Sequence, residues 1–197
     1  MNISEIVKTW PTDKNGSSIS PGTLWCAEGS VIRVGVDCHI GDGCRIWTRS
    51  YIGDGCRIMD NSRIESNCHI GKNCHIGKNC LIWDDSYIAE GCYIGDDCGL
   101  SNWCCIGKNC VIGNDCQLSS GCHIGFQCDI GRDCDIGDRF HMWNRSRIGA
   151  NCRIGDDVHI GNDCEIGENC RIGNDCYVAD NVCLDANTRL RDRHGRP

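Results

Sequence analysis

From Val34 to Leu190 an aliphatic residue stands at every sixth position, beginning Ile40, Ile46, Ile52, Ile58, Ile64 and Ile70. All 27 of these positions are Ile, Leu, Val or Met, with no slip in register. The next residue is Gly in 16 of the 27 hexads, and the residue three past the aliphatic is usually Asn, Asp or Gly, as at Asn73, Asn79 and Asp133. Those types tolerate left-handed backbone, so each hexad reads as a short strand closed by a tight turn. A strict period of six sustained over this length is the signature of a hexapeptide parallel β-helix. Three hexads make one triangular coil, and stacked coils pair as parallel strands about 4.8 Å apart. About nine coils give an all-β solenoid about 43 Å long.

The same pattern divides the chain into three parts. Residues 1–33 form a lead-in that carries Ile3, Ile6, Val7, Trp10, Leu24 and Trp25, enough apolar surface to cap one end. Residues 34–190 are the repeat, and residues 191–197 are a charged tail that blunts the other end. Capping matters because an open solenoid presents unpaired strand edges.

Alternation along each strand sorts the 21 cysteines. If the repeated aliphatic points inward, the residue two before it does too. That residue is Cys in 18 hexads, Ser in four (Ser50, Ser62, Ser86, Ser146), and Ile32, Phe140, Val158, Val182 or Thr188 in the others. The interior is therefore three aliphatic ladders beside three cysteine ladders, with Cys acting as a small polarizable hydrophobe. The even C-x5-C spacing lacks the close pairs of zinc and iron–sulfur sites. In-register strands hold Cβ atoms about 4.8 Å apart, longer than a disulfide prefers. Free packing thiols are expected; Cys105 and Cys183 alone fall at the outward position, and Cys26 precedes the register. In four hexads the corner Gly gives way to Trp47, Met59, Trp83 or Trp143, and each time the next wall residue is Ser. This reads as more bulk at the corner exchanged for less in the wall.

Charge and composition narrow the partners. A net charge of −7 and a pI near 5.4 argue against general nucleic-acid affinity. MNISEIVKTW lacks the apolar core of a signal peptide, and no run is long enough to span a membrane. A soluble, cytoplasmic protein is the expectation.

Function then falls to the outward residue of each strand, which stacks on its equivalents one coil away. The first face reads His39, Arg57, His75, Tyr93, Val111, Asp129, Arg147, Glu165, Cys183, a mixed set. The second reads Arg45, Arg63, Leu81, Gly99, Gln117, Asp135, Arg153, Arg171, Arg189. Its three closing arginines repel one another, and read as a solvated basic edge ahead of a phosphate or sulfate site. The third reads Tyr51, His69, Tyr87, Cys105, His123, His141, His159, Tyr177. Such side chains suit a subunit interface, and they also suit a groove where imidazole takes a proton. His123, His141 and His159 span about 9.6 Å, so at most two could reach one ion, and no metal site is assigned.

The runs CHIGDG, CRIGDD, VHIGND and CEIGEN resemble the hexapeptide-repeat superfamily of left-handed parallel β-helices, over residues 34–190. The stretch RIWTRSYIGDGCRIMDNSRIESNCHIGKNCHIG is loosely similar to the start of sugar N-acetyltransferase domains. The resemblance implies a left-handed coil, a homotrimer, and acyl transfer from acetyl-CoA or another acyl-CoA to a sugar-type acceptor. It implies a His at a subunit boundary as general base, here one of His123, His141 or His159. Tyr51, His69, Tyr87, Cys105 and Tyr177 would then line the binding face and the trimer contact. The competing expectation is a non-catalytic structural or assembly solenoid, a scaffold or filament former.

Overall fold

The computed structural model describes the short strand Ser18–Ile19 and residues 31–192. The lead-in cap and charged tail otherwise lie outside the described residues. Strands of two residues follow one another every six positions, from β2 (Arg33–Val34) to β28 (Arg189–Leu190), after an isolated β1 (Ser18–Ile19). They assemble into one ten-stranded and two nine-stranded sheets, the three walls of a prism. Each strand from β2 onward pairs in parallel with the third strand after it, for example Tyr87 with His69 and with Cys105. β1 lies antiparallel to β2, so part of the lead-in covers the first edge of one wall.

The turns show why the hexad looks as it does. Every sixth residue from Asp37 to Asn187 has left-handed φ, between 53° and 71°. Asn, Asp and Gly fill most of these sites because they tolerate that region best. The Asp or Asn two past the aliphatic has a separate task. Asp96 Oδ1 accepts the Lys78 backbone N–H at 2.7 Å, and Asn114 Oδ1 accepts that of Asp96 at 3.0 Å. Turn donors of one coil are thus satisfied by side chains of the next. The corner glycine answers a close approach: a Cβ on Gly131 would stand 2.6 Å from the backbone nitrogen of Ala150.

Inside, the aliphatic ladders are dry along all three walls up to the last coil, where Leu184 and Leu190 are half-buried. Ile52, Ile58, Ile64, Ile70 and Ile76 are fully buried, and Leu100 and Leu118 continue their ladder without exposure to solvent. Burying one such side chain contributes about 2 kcal/mol.

The wall cysteines do more than fill space. All 20 described cysteines are free. Each buried thiol lies beside a corner carbonyl of the next coil: Cys56 Sγ donates to Gly71 O at 2.9 Å and Cys116 Sγ to Gly131 O at 3.0 Å. Burial pushes the Cys68 thiol up to about 11, which keeps its proton in place as a donor. The four serines make the same bond, as in Ser62 Oγ to Gly77 O and Ser146 Oγ to Gly161 O, both at 2.7 Å. Their oxygens also accept, from the backbone N–H of Cys80 at 3.1 Å and of Cys164 at 3.0 Å.

That geometry corrects the expected exchange of bulk. Trp83 and Trp143 are exposed, the latter by 52%, and Trp47 and Met59 are half-buried, so none of the four lies in the core beside the wall serine. Ser and Cys are linked by a shared hydrogen bond rather than by size. Around Trp143 the core is repacked as expected, with Phe140 wholly buried in a wall position and Met142 in an aliphatic one.

Candidate functional site

The ten-stranded wall carries the Tyr/His face. Alternation turns Ile52, Ile70, Ile88, Ile106, Ile124, Met142, Ile160 and Val178 inward and leaves their preceding residues outside. The pairing joins Tyr51, His69, Tyr87, Cys105, His123, His141, His159 and Tyr177 into one ladder, in that order. All eight residues expected at the site therefore share one face.

Their rings stack. Tyr51 and His69 lie 4.7 Å apart between centroids, and His69 and Tyr87 4.8 Å. Cys105 interrupts the column, which resumes with His123 and His141 at 5.0 Å and His141 and His159 at 4.9 Å. Interplanar angles of 7° and 19° make these three imidazoles nearly parallel. Parallel rings point their nitrogen lone pairs side by side, so the three cannot converge on one tetrahedral ion. Among the described residues no group of three or more His, Cys, Asp or Glu is placed to hold a metal. A single pair of the same kind, His75 on Tyr93 at 4.8 Å, sits on another wall.

Environment tunes the ladder. Burial holds His69 below the usual imidazole range. His141 is held low by burial first, and then by the charges its neighbours His123 and His159 would carry. Burial pushes the Cys105 thiol up, with Cys104 adding to the effect, so this sulfur is not an activated nucleophile. Cys183, the other outward thiol, lies exposed on a different wall.

Two flanking aromatics escaped the reading of the sequence. Trp103, 60% exposed, lies in the turn leading into Cys105, and Phe126, also exposed, lies in the turn leaving His123. Trp83 and Trp143 occupy the equivalent flanks before Tyr87 and after His141. Trp103 sits at a left-handed position with φ of 58°, and the neighbouring Asn102 Oδ1 is buried without a hydrogen-bond partner. A bulky residue in the left-handed region beside an orphaned acceptor is a local departure from the repeat's own rule. The signal for it was an aromatic where the repeat calls for Asn, Asp or Gly.

The parallel coils, the filled interior and the hexad turns define the hexapeptide-repeat left-handed β-helix superfamily. A family model described as the EIF2B subunit epsilon LbH domain matches residues 30–136, and the chain belongs to that family. A second model, bacterial transferase hexapeptide (six repeats), matches residues 145–180. No curated protein matches the chain. Among solved structures it is similar to LpxA, a UDP-N-acetylglucosamine acyltransferase from Bacteroides fragilis 9343. That likeness has 21% identity and a TM-score of 0.65, covering 77% of this chain and 68% of the other. It is also similar to the Francisella novicida UDP-N-acetylglucosamine acyltransferase, at 17% identity and a TM-score of 0.44, covering 75% and 60%. At 21% identity the likeness to the Bacteroides fragilis protein concerns the fold alone. Among the described residues no helix is long and apolar enough to cross a membrane.

Proposed function

We propose that the chain is an acyl or acetyltransferase of the hexapeptide type, working as a homotrimer with the Tyr/His face at the subunit boundary. The donor is acetyl-CoA or another acyl-CoA, and the acceptor a sugar-type hydroxyl or amine. The observation that carries this reading is the stack of His123, His141 and His159, whose middle ring is held below the usual imidazole range by its surroundings. A neutral imidazole near pH 7 is available as a base.

One of the three histidines removes the proton of the acceptor as its oxygen or nitrogen attacks the thioester carbonyl. The tetrahedral intermediate collapses with cleavage of the C–S bond, and the proton passes from imidazolium to sulfur, leaving CoA as the free thiol. Tyr51, His69, Tyr87, Cys105 and Tyr177 bind and orient the two substrates along the face. Thiol release from acetyl-CoA over a panel of sugar acceptors tests the reading. His123→Ala, His141→Ala or His159→Ala is expected to lower the rate by about 10²–10⁴-fold at the position that serves as base. Absence of turnover together with absence of an acetyl-CoA-induced thermal shift would overturn it.

A second reading has its own observation. Left-handed φ recurs at every sixth residue from Asp37 to Asn187, so no inserted loop rises beside the face. An uninterrupted prism suits a scaffold or assembly module, and filaments seen by electron microscopy in a preparation without turnover would favour it.

A further inference from the structure

At three places on this prism an arginine meets an acid one coil away. Arg145 Nε lies 2.7 Å from Asp163 Oδ1, Arg147 Nε 3.1 Å from Asp129 Oδ2, and Arg139 pairs with Asp157. In each case the partner stands at the equivalent position one coil along, where the fold makes pairing easy. Arg45 and Arg63, in register with each other at one end of the second wall, have no such partner among the described residues, and neither do Arg153, Arg171 and Arg189 at the other. These last three pair in register with one another across three successive strands of the second wall, and they form no ion pair among the described residues. Like charges facing each other in a ladder destabilise it.

What surrounds them is a set of donors. Asn151, Asn169 and Asn187 stack in the preceding turn, at left-handed positions with φ of 58°, 58° and 66°. These three asparagines and three arginines line a shallow groove of about 480 Å³ without a carboxylate among them. On the other flank Gly137, Gly155 and Gly173 leave a second shallow groove, about 460 Å³, lined by Arg153 and Arg171 together with Asp135 and Asp156. Acids mark the limits of the site. Asp135 pairs with Arg153 in register one coil away, and Asp156, which lines the second groove, spends Oδ1 on the backbone N–H of Asp138 at 2.8 Å.

We propose that the Asn151–Arg153–Asn169–Arg171–Asn187–Arg189 groove binds an oligophosphate, a ligand with two or three linked phosphates laid along the prism axis. Guanidinium forks match phosphate oxygens in pairs, and side-chain amides supply further N–H donors. Three rungs at the strand spacing extend about 9.6 Å, longer than one phosphate can bridge. With the whole chain at −7, attraction is local to this stripe rather than a property of the molecule's field. The site lies on a different wall from the Tyr/His face and stands independently of the acyl-transfer reading.

Isothermal titration of the full chain with inorganic tripolyphosphate, orthophosphate and ATP tests it, at low and at high salt. Tripolyphosphate is expected to bind more tightly than orthophosphate and to weaken as salt rises. ATP binding as tightly as tripolyphosphate identifies the phosphate chain as the ligand, and tighter binding adds a nucleoside contact; both support the site. Arg171→Ala is expected to weaken binding by about tenfold or more, and Asn169→Ala by less. Arg63→Ala, at the other end of the same wall, should leave affinity unchanged. Circular dichroism checks that each exposed-residue variant keeps its fold. No tripolyphosphate binding at low salt, an unchanged affinity in Arg171→Ala, or an equal loss in Arg63→Ala would each overturn the proposal.

Discussion

A wall cysteine carries two loads at once, volume and a proton. At Cys116 the side chain is fully buried and its sulfur donates to Gly131 O at 3.0 Å. Removing the sulfur leaves that partly buried carbonyl without its donor, which costs about 1 kcal/mol. Cys116→Ala should therefore lower stability by about that amount, plus a smaller packing loss. Cys116→Ser should lose less, because Ser62 and Ser146 make the equivalent bond with oxygen. Denaturant unfolding checks the order; equal losses in the two variants would mean the thiol only fills space. The sequence placed Cys116 in the wall correctly, through strand alternation. It did not disclose why Cys stands there, because the carbonyl partner belongs to the next coil and comes into reach only when coils stack.

At the scale of a strand ladder, spacing was again informative and orientation was not. The interval of three hexads brought His123, His141 and His159 to one column before any coordinates. That their rings lie parallel depends on side-chain rotamers, which no spacing encodes. The stack has a consequence for pH. His69, His75 and His141 are all held below the usual imidazole value, chiefly by burial. A base with a lowered folded-state pKa binds its proton more readily when the chain is unfolded. The stability it contributes is fully present above the unfolded value near 6.5, and is lost as pH falls through that value toward the folded one. Thermal midpoints should therefore drop between neutral pH and about pH 5.5. His141→Gln, which carries no ionisable ring, should flatten that drop. An identical pH profile in the variant would show that His141 does not contribute.

The whole molecule has its interior filled by aliphatic and thiol ladders, so binding must happen on its outside. Each coil touches only its neighbours, and the face that results is long and open. Tyr51 to Tyr177 covers seven strand spacings, about 34 Å, with Tyr87 46% exposed and no wall rising beside it. Trp103, Phe126 and Trp143 extend the aromatic surface onto both flanking turns. Exposed aromatic groups gathered this densely lose least when a second chain covers them, and that chain also supplies the missing side of a groove. Oligomer and substrate groove should then fail together. A triple variant with Tyr87→Asp, His123→Asp and His141→Asp places carboxylates only on the outside, so circular dichroism should retain the β signal. Sedimentation velocity should show the proposed trimer replaced by monomer, and the proposed thiol release from acetyl-CoA should vanish with it. A folded triple variant that remains trimeric would move the subunit contact to another wall. A folded monomer that still turned over would show that one face alone binds both substrates.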